Sequence, residues 1–362
     1  MKWLSDQIVD HLRDVADVPD LTGTKYRVIR RLARGGMGTV FLAYDDQLDR
    51  HVALKVLDLP DESGELTARM KREAQIVARL EHPGIVPIHD VGTLPDGRVF
   101  YAMKFVQGSR LDEYARTATS LPDTLRVFQK ACEAVAFAHA HGVIHRDLKP
   151  ENVMVGAFGE VLVMDWGLAK VIRSTPNSSE DGQADQSNHA SARSELTGDA
   201  AARNSIDTLH GTVMGTPAYM APEQALGNTA SFDERTDVYA LGAMLYFLLA
   251  GRPPFVSQDL SAAERETKNS KLPSPRQLNH ATPRQIDAVC RKAMSPAPPE
   301  RYGSAQELAA EVARFVDGFA VSAYRENIFE RAGRWIARNR FLVFLIVTYV
   351  IMRILMLLIS SR

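Results

Sequence analysis

His145-Arg146-Asp147-Leu148-Lys149-Pro150-Glu151-Asn152 follows directly on the short apolar run Val143-Ile144 near the middle of the chain. An acid, a lysine and an amide fall within six positions of one another, with a proline between them. A carboxylate such as Asp147 accepts a proton from an attacking hydroxyl. An ammonium such as Lys149 neutralises a phosphate oxygen, and a carboxamide such as Asn152 ligates a divalent cation. These are the tools of phosphoryl transfer, in which positioning and charge neutralisation do nearly all the work. A single loop does not make an enzyme, so the reading depends on what flanks it.

Upstream, residues 125–141 predict a helix that delivers the chain to this loop, with His139 and His141 read as helix-end histidines. Further back stands Leu32-Ala33-Arg34-Gly35-Gly36-Met37-Gly38-Thr39-Val40. Its glycines let the backbone approach a ligand with no Cβ in the way, and exposed N–H groups there can hold phosphate oxygens. Thr39 and Val40 are β-branched and continue as strand, so the glycines join two strands. Dinucleotide-binding and Walker loops open a helix instead. Lys55 lies inside the apolar strand His51-Val52-Ala53-Leu54-Lys55-Val56-Leu57, where a snorkelling side chain is the plain alternative. In the next helix Leu66, Met70, Glu73, Val77 and Leu80 recur at spacings of three and four, which turns Glu73 to the buried side. A lone buried carboxylate is costly, and Lys55 is the cation to meet it. Asp96-Gly97 marks a hairpin turn between strands at 85–92 and 99–106.

Downstream, residues 153–163 read as a hairpin leading to Met164-Asp165-Trp166-Gly167-Leu168-Ala169. Asp237 opens the apolar run 238–250, too short to span a bilayer and therefore a core helix. Gly215-Thr216-Pro217-Ala218-Tyr219-Met220-Ala221-Pro222-Glu223 lies between them.

In this order the stretches resemble the eukaryotic-like protein kinases, in their bacterial Hanks-type serine/threonine form. Residues 145–152 match the catalytic loop H-R-D-L-x-x-x-N. The resemblance covers residues 26–319, with Ala33 where the family's first loop glycine falls and Trp166 in place of the phenylalanine of D-F-G. It implies an α+β, two-lobed kinase fold: a small antiparallel β-sheet lobe with one helix (26–107) and a larger, mainly helical lobe (108–319). It further implies ATP between the lobes, meeting residues Leu32, Ala33, Arg34, Gly35, Gly36, Met37, Gly38, Thr39 and Val40, with Lys55 and the hinge backbones of Lys104 and Val106. Met103 is then the gatekeeper. Mg²⁺ would sit on Asn152 and Asp165, and Glu73 would hold Lys55. Asp147 and Lys149 would serve the transfer itself, Asp237 would hold the catalytic-loop backbone, and Arg301 would pair with Glu223. Lys149, two places after Asp147, resembles the serine/threonine rather than the tyrosine kinases, so protein Ser/Thr hydroxyls are the implied acceptors.

Three segments lie outside this frame. Residues 1–22 predict a helical extension, with Leu4, Ile8, Leu12 and Val15 at helical spacing. Residues 173–207 are dense in Ser, Asn, Asp and Gln and predict a disordered activation-loop insertion. Thr208 and Thr212 just after it are candidate autophosphorylation sites, with Arg146 as phosphate partner and a homodimer as the setting for phosphorylation in trans. The tail has a basic stretch (320–340, including Arg331, Arg334, Arg338 and Arg340) and then an apolar one (341–359) interrupted by Arg353. That length suffices to cross a bilayer, and one internal arginine costs about 2.5–3.5 kcal/mol at a helix centre, less toward an end. Basic residues on its N-terminal side predict a single-pass membrane protein with a cytoplasmic kinase domain; an interfacial or self-associating helix is the alternative.

The whole is 362 residues, 45% hydrophobic, with 43 Lys+Arg against 44 Asp+Glu, a balance that argues against nucleic acid as a partner. Cys132 and Cys290 read as reduced core residues, and residues 1–20 lack the apolar core of a secretion signal. Two rival readings remain. A pseudokinase scaffold that binds nucleotide without transfer draws on Ala33, Trp166 and the long insertion. A small-molecule phosphotransferase of the same fold is disfavoured by the 215–223 loop.

Overall fold

The computed structural model describes residues 18–35, 38–58, 64–167, 169–171, 216–227, 232–255 and 272–360. The predicted extension up to residue 17, Gly36 and Met37 of the glycine-rich loop, the 173–207 insertion, Thr208 and Thr212 lie outside them. Residues 18–22, the described end of the extension, are turn and irregular backbone rather than helix.

The small lobe is an antiparallel sheet in which β1 (Tyr26–Gly35), β2 (Gly38–Asp45), β3 (Arg50–Val56), β4 (Ile88–Thr93) and β5 (Val99–Lys104) stand in the order β1-β2-β3-β5-β4. The central strands are covered on both sides. Phe41, Val52, Leu54 and Phe100 pack on one face, while Tyr101 and Val99 meet Met70 and Ala74 on the other. Those last two belong to α1 (Glu65–Ala78), which starts after Gly64 in the left-handed region (φ 74°) with Glu65 in its first turn, where the helix dipole favours an acid. The predicted stripe holds in the middle of α1: Met70, Glu73 and Val77 are buried. It frays at the ends, where Leu66 is exposed and Leu80 is buried but lies past the helix.

The large lobe begins with β6 (Gly108–Arg110), α2 (Leu111–Thr117) and α3 (Leu121–Ala140). At Gly108 any Cβ would run into the Val155 carbonyl, so the hinge can press against the large lobe only with glycine there. Ser120 caps α3 by accepting the Asp123 N–H, and the following proline sits in the first turn, where no donor is lost. β7 (Val143–Ile144) then opens the central loop, β8 (Val153–Gly156) and β9 (Val161–Val163) form the expected hairpin, and β10 (Lys170–Val171) pairs back on β7. After α4 (Pro222–Ala225) comes α5 (Glu234–Ala250), capped by Asp233, closed by Gly251 at φ 73° and buried nearly all round. The shorter α6 (Pro275–Leu278), α7 (Arg284–Ala293) and α8 (Ala305–Val316) surround it. Cys132 and Cys290 are free and buried in this core, as expected.

Packing does not stop at Phe319: Val321 is buried, and the N–H groups of Ser322 and Ala323 donate to Glu311 of α8. Two helices follow, α9 (Ile328–Arg338) and α10 (Arg340–Ser360). Residues Phe341–Leu358 of α10 are long and apolar enough to cross a membrane, and none of them is buried against the rest of the protein.

Candidate active site

Lys55 and Glu73 meet in the buried seam between β3 and α1, with Nζ 3.2 Å from Oε1 and exposures of 8% and 3%. The same ammonium reaches 3.0 Å to Oδ1 of Asp165 in the large lobe, so one side chain bridges both lobes. Tyr101, directly opposite Lys55 in the β3–β5 register, donates its hydroxyl to Glu73 at 2.8 Å. Burial works against the Lys55 charge, but Tyr101, Asp165 and Glu73 outweigh it and hold the lysine above its ordinary pKa. Asp165 answers in kind. Partial burial pushes its carboxyl up, yet the charge and hydrogen bond of Lys55, helped by His145 and Lys149, leave it below the usual carboxylate range.

The central loop is held from beneath. The Asp237 carboxylate, wholly buried at the start of α5, accepts the His145 N–H at 2.7 Å and the Arg146 N–H at 2.8 Å. Arg146 takes a left-handed backbone (φ 67°), as does Asp165 (φ 58°), conformations a non-glycine residue keeps only when its surroundings dictate them. Those two N–H bonds are part of that dictation. His139 Nε2, 2.8 Å from the same carboxylate, completes the site. Burial raises the Asp237 carboxyl, and the His139 hydrogen bond and charge, with His145, reverse this and lower it. Trp166 is fully buried, donates its indole N–H to the Val163 carbonyl at 3.4 Å and packs on the His145 ring at 4.6 Å. The substitution for phenylalanine therefore fills its pocket and satisfies its donor.

On the loop itself, Asp147 Oδ2 lies 3.0 Å from Lys149 Nζ, while Oδ1 accepts the Thr216 N–H (2.9 Å) and hydroxyl (3.1 Å). Lys149 also donates to the Thr216 oxygen at 2.8 Å. Asn152 donates its amide N–H to the Asp147 carbonyl at 2.8 Å, which orients the remaining amide oxygen as an acceptor. Together with the Asp165 carboxylate this makes two hard oxygen donors. That suits Mg²⁺, which binds through one or two protein ligands plus phosphates and water. Among the described residues no group of three or more His, Cys, Asp or Glu forms a dedicated metal cage.

A model of the protein kinase domain matches residues 26–312. The chain belongs to the protein kinase family. It is 35% identical over 311 residues to the serine/threonine-protein kinase PknD of Protochlamydia amoebophila, covering 81% of this chain and 30% of that one. To the serine/threonine-protein kinase PknB of Mycolicibacterium smegmatis it is 36% identical over 313 residues, covering 84% of this chain and 45% of the relative. The chain thus spans less than half the length of these relatives. Among solved structures, the Mycobacterium tuberculosis PknI kinase domain superposes with a TM-score of 0.56 at 27% identity, covering 82% of this chain and 98% of that one. Protein kinases as a family use ATP and Mg²⁺ and act on proteins.

Within that family frame the glycine-rich loop is a β1–β2 hairpin, as expected from its β-branched continuation. Ala33 pairs with Val40 in the ladder, just after a register irregularity at Arg31, so the methyl is accommodated at the end of that bulge. A Cβ on Gly38 would run into the Val56 carbonyl. Arg34 and Thr39 both reach Asp58, at 3.1 and 2.6 Å. At the hinge, Lys104 gives its N–H to the Pro87 carbonyl (3.1 Å), so an adenine contact at that residue falls to its carbonyl; Val106 is buried beside it. Arg301 grips Glu223 with two bonds of 2.7 and 2.8 Å, as expected, and Gln224 donates to the Arg146 carbonyl at 2.8 Å. Tyr101, His139 and Gln224 were not legible as site residues. A tyrosine in a strand and a histidine at a helix end look like core, and their partners lie 28 and 98 positions away.

Proposed function

We propose that the chain is a serine/threonine protein kinase, transferring the γ-phosphoryl group of ATP to protein hydroxyls. What carries the reading is the Asp147–Lys149–Thr216 cluster, joined through Asn152 to the segment that carries Asp165 of the Lys55–Glu73–Asp165 bridge. Asp147 orients the acceptor hydroxyl and takes its proton as the oxygen attacks. Lys149 offsets charge on the transferred group, and Lys55, fixed by Glu73, offsets charge on the remaining phosphates. The glycine-rich loop, residues 32–40, and the backbones of Lys104 and Val106 hold the nucleotide. Asn152 and Asp165 hold Mg²⁺, which when bound neutralises phosphate charge.

In the test, labelled γ-phosphate is followed into a generic protein substrate, with small-molecule acceptors alongside and acid hydrolysis to identify the modified residue. Wild type should label serine and threonine, and Asp147→Asn should lose on the order of 10²–10⁴-fold, the range of a general base. Equal labelling by Asp147→Asn would defeat the assignment, and a wild type that binds ATP yet transfers nothing would favour the scaffold reading. Membrane anchoring through α10, with the kinase domain cytoplasmic, and a homodimer phosphorylating Thr208 and Thr212 in trans belong to the same proposal. Release of the chain by alkaline carbonate would remove the first. Undiminished activity in a Thr208→Ala, Thr212→Ala double variant would remove the role of those threonines.

A further inference from the structure

Helix α9 (Ile328–Arg338) is amphipathic in sequence and turned inside out in its packing. At 100° per residue Ile328, Phe329, Ala332, Trp335 and Ile336 fall on one side, and Glu330, Arg331, Arg334 and Arg338 on the other. A helix lying on a water-soluble domain presses its apolar side inward. Here the charged side is the fastened one. Arg334 donates to Glu326 at 2.7 Å, and Glu330 accepts the Tyr324 hydroxyl at 3.0 Å and lies 3.6 Å from Arg284 of α7. The Arg338 guanidinium sits 5.3 Å over the Phe319 ring. The apolar side points away from the protein: Phe329 is 86% exposed, Ile328 82%, and Trp335 and Ile336 48% each.

We propose that this apolar face lies in the headgroup layer of the bilayer that α10 enters, seating the large lobe on the membrane surface. The inference rests on reading α10 as a membrane span. Two observations choose lipid over another protein. Only Asn339 separates the end of α9 from the start of α10, so α9 is held at the membrane boundary, where a lipid surface is unavoidable. Its composition is also that of an interfacial helix, with Phe and Trp on one side and arginines flanking a face that meets phosphate headgroups.

Cys132 and Cys290 are both buried, so single introduced cysteines in the full chain can be spin-labelled selectively. The positions are Phe329→Cys, Arg331→Cys and Ile346→Cys, each reconstituted in phosphatidylcholine–phosphatidylserine vesicles and probed with oxygen and a water-soluble nickel chelate. The label at 329 should be at least about fivefold less accessible to the chelate than that at 331, as seating ~5–10 Å into the headgroup–acyl boundary requires. The label at 346 should be fully shielded. If 346 is shielded while 329 is as accessible as 331, the seating is wrong and the anchor stands. If 346 is accessible too, the span reading fails and the seating with it. Spin–spin broadening at 329 that disappears on dilution with unlabelled chain would assign the face to a second copy and overturn the proposal.

Discussion

Replacing Tyr101 with phenylalanine removes one hydroxyl, which donates to the same Glu73 oxygen, Oε1, that Lys55 holds. Leaving a buried carboxylate oxygen short of a donor costs about 1–3 kcal/mol. Where Glu73 positions Lys55, kcat should fall roughly 5- to 100-fold, since 1.4 kcal/mol is a decade, together with a modest drop in the melting temperature. Steady-state kinetics and a thermal melt on the same preparation check this; a large melting shift with unchanged kcat would mean that Tyr101 is only core. Asp237 gives a pH test. Its folded pKa is lowered, so its stabilisation is fully present above the unfolded carboxylate value of about 3.9 and is lost as pH falls through the folded value. Wild type should therefore exceed Asp237→Asn in urea stability at neutral pH, by roughly 1.5–3 kcal/mol for a charged acceptor, and the gap should close toward acid. The Lys55–Glu73 pair is readable in the sequence because a helical stripe forces Glu73 inward and a buried charge demands a partner. Tyr101 and His139 are not, because nothing in a periodic pattern announces a bond between two elements many residues apart.

The small helix α4 (Pro222–Ala225) has too few residues to stand alone, and isolated helices of that length do not persist in water. It is held by the buried Glu223–Arg301 fork and by Gln224 on the Arg146 carbonyl, which ties the segment 216–225 to the central loop. Arg301→Leu should cost about 3–5 kcal/mol in denaturant unfolding, the usual penalty for stranding a buried partner charge. Adding Glu223→Leu should recover part of that loss, since an uncharged pair has nothing left to strand. In the small lobe, Gly38→Ala should raise the KM for ATP, because the β2 backbone must retreat from the Val56 carbonyl to admit the methyl. Most elements were legible, since strand alternation, caps and glycine stops all carry local signals. The ends of α1 were not: Leu66 stays exposed, and Leu80, past the end of the helix, packs into the large-lobe core with Ile85 and Val86.

Across the whole molecule, the two tail helices carry none of the active-site residues, and deleting residues 340–362 should leave kcat and KM for a soluble protein acceptor unchanged. The shortened chain still carries the outward face of α9 with its exposed Phe329 and Trp335, and such apolar patches self-associate. Size-exclusion chromatography should show oligomers that disappear when the deletion begins at residue 328. Little chain separates the domain from α10. Tyr324 still packs against the large-lobe core, α9 starts at Ile328, and its 11 residues cover about 16 Å before α10 begins. There is no slack in which a catalytic domain can swing. With α10 spanning a membrane as proposed, the active site would ride at one height above it and its search would become two-dimensional. It would meet acceptors that share the surface by lateral diffusion and sample those in bulk only when they come to it.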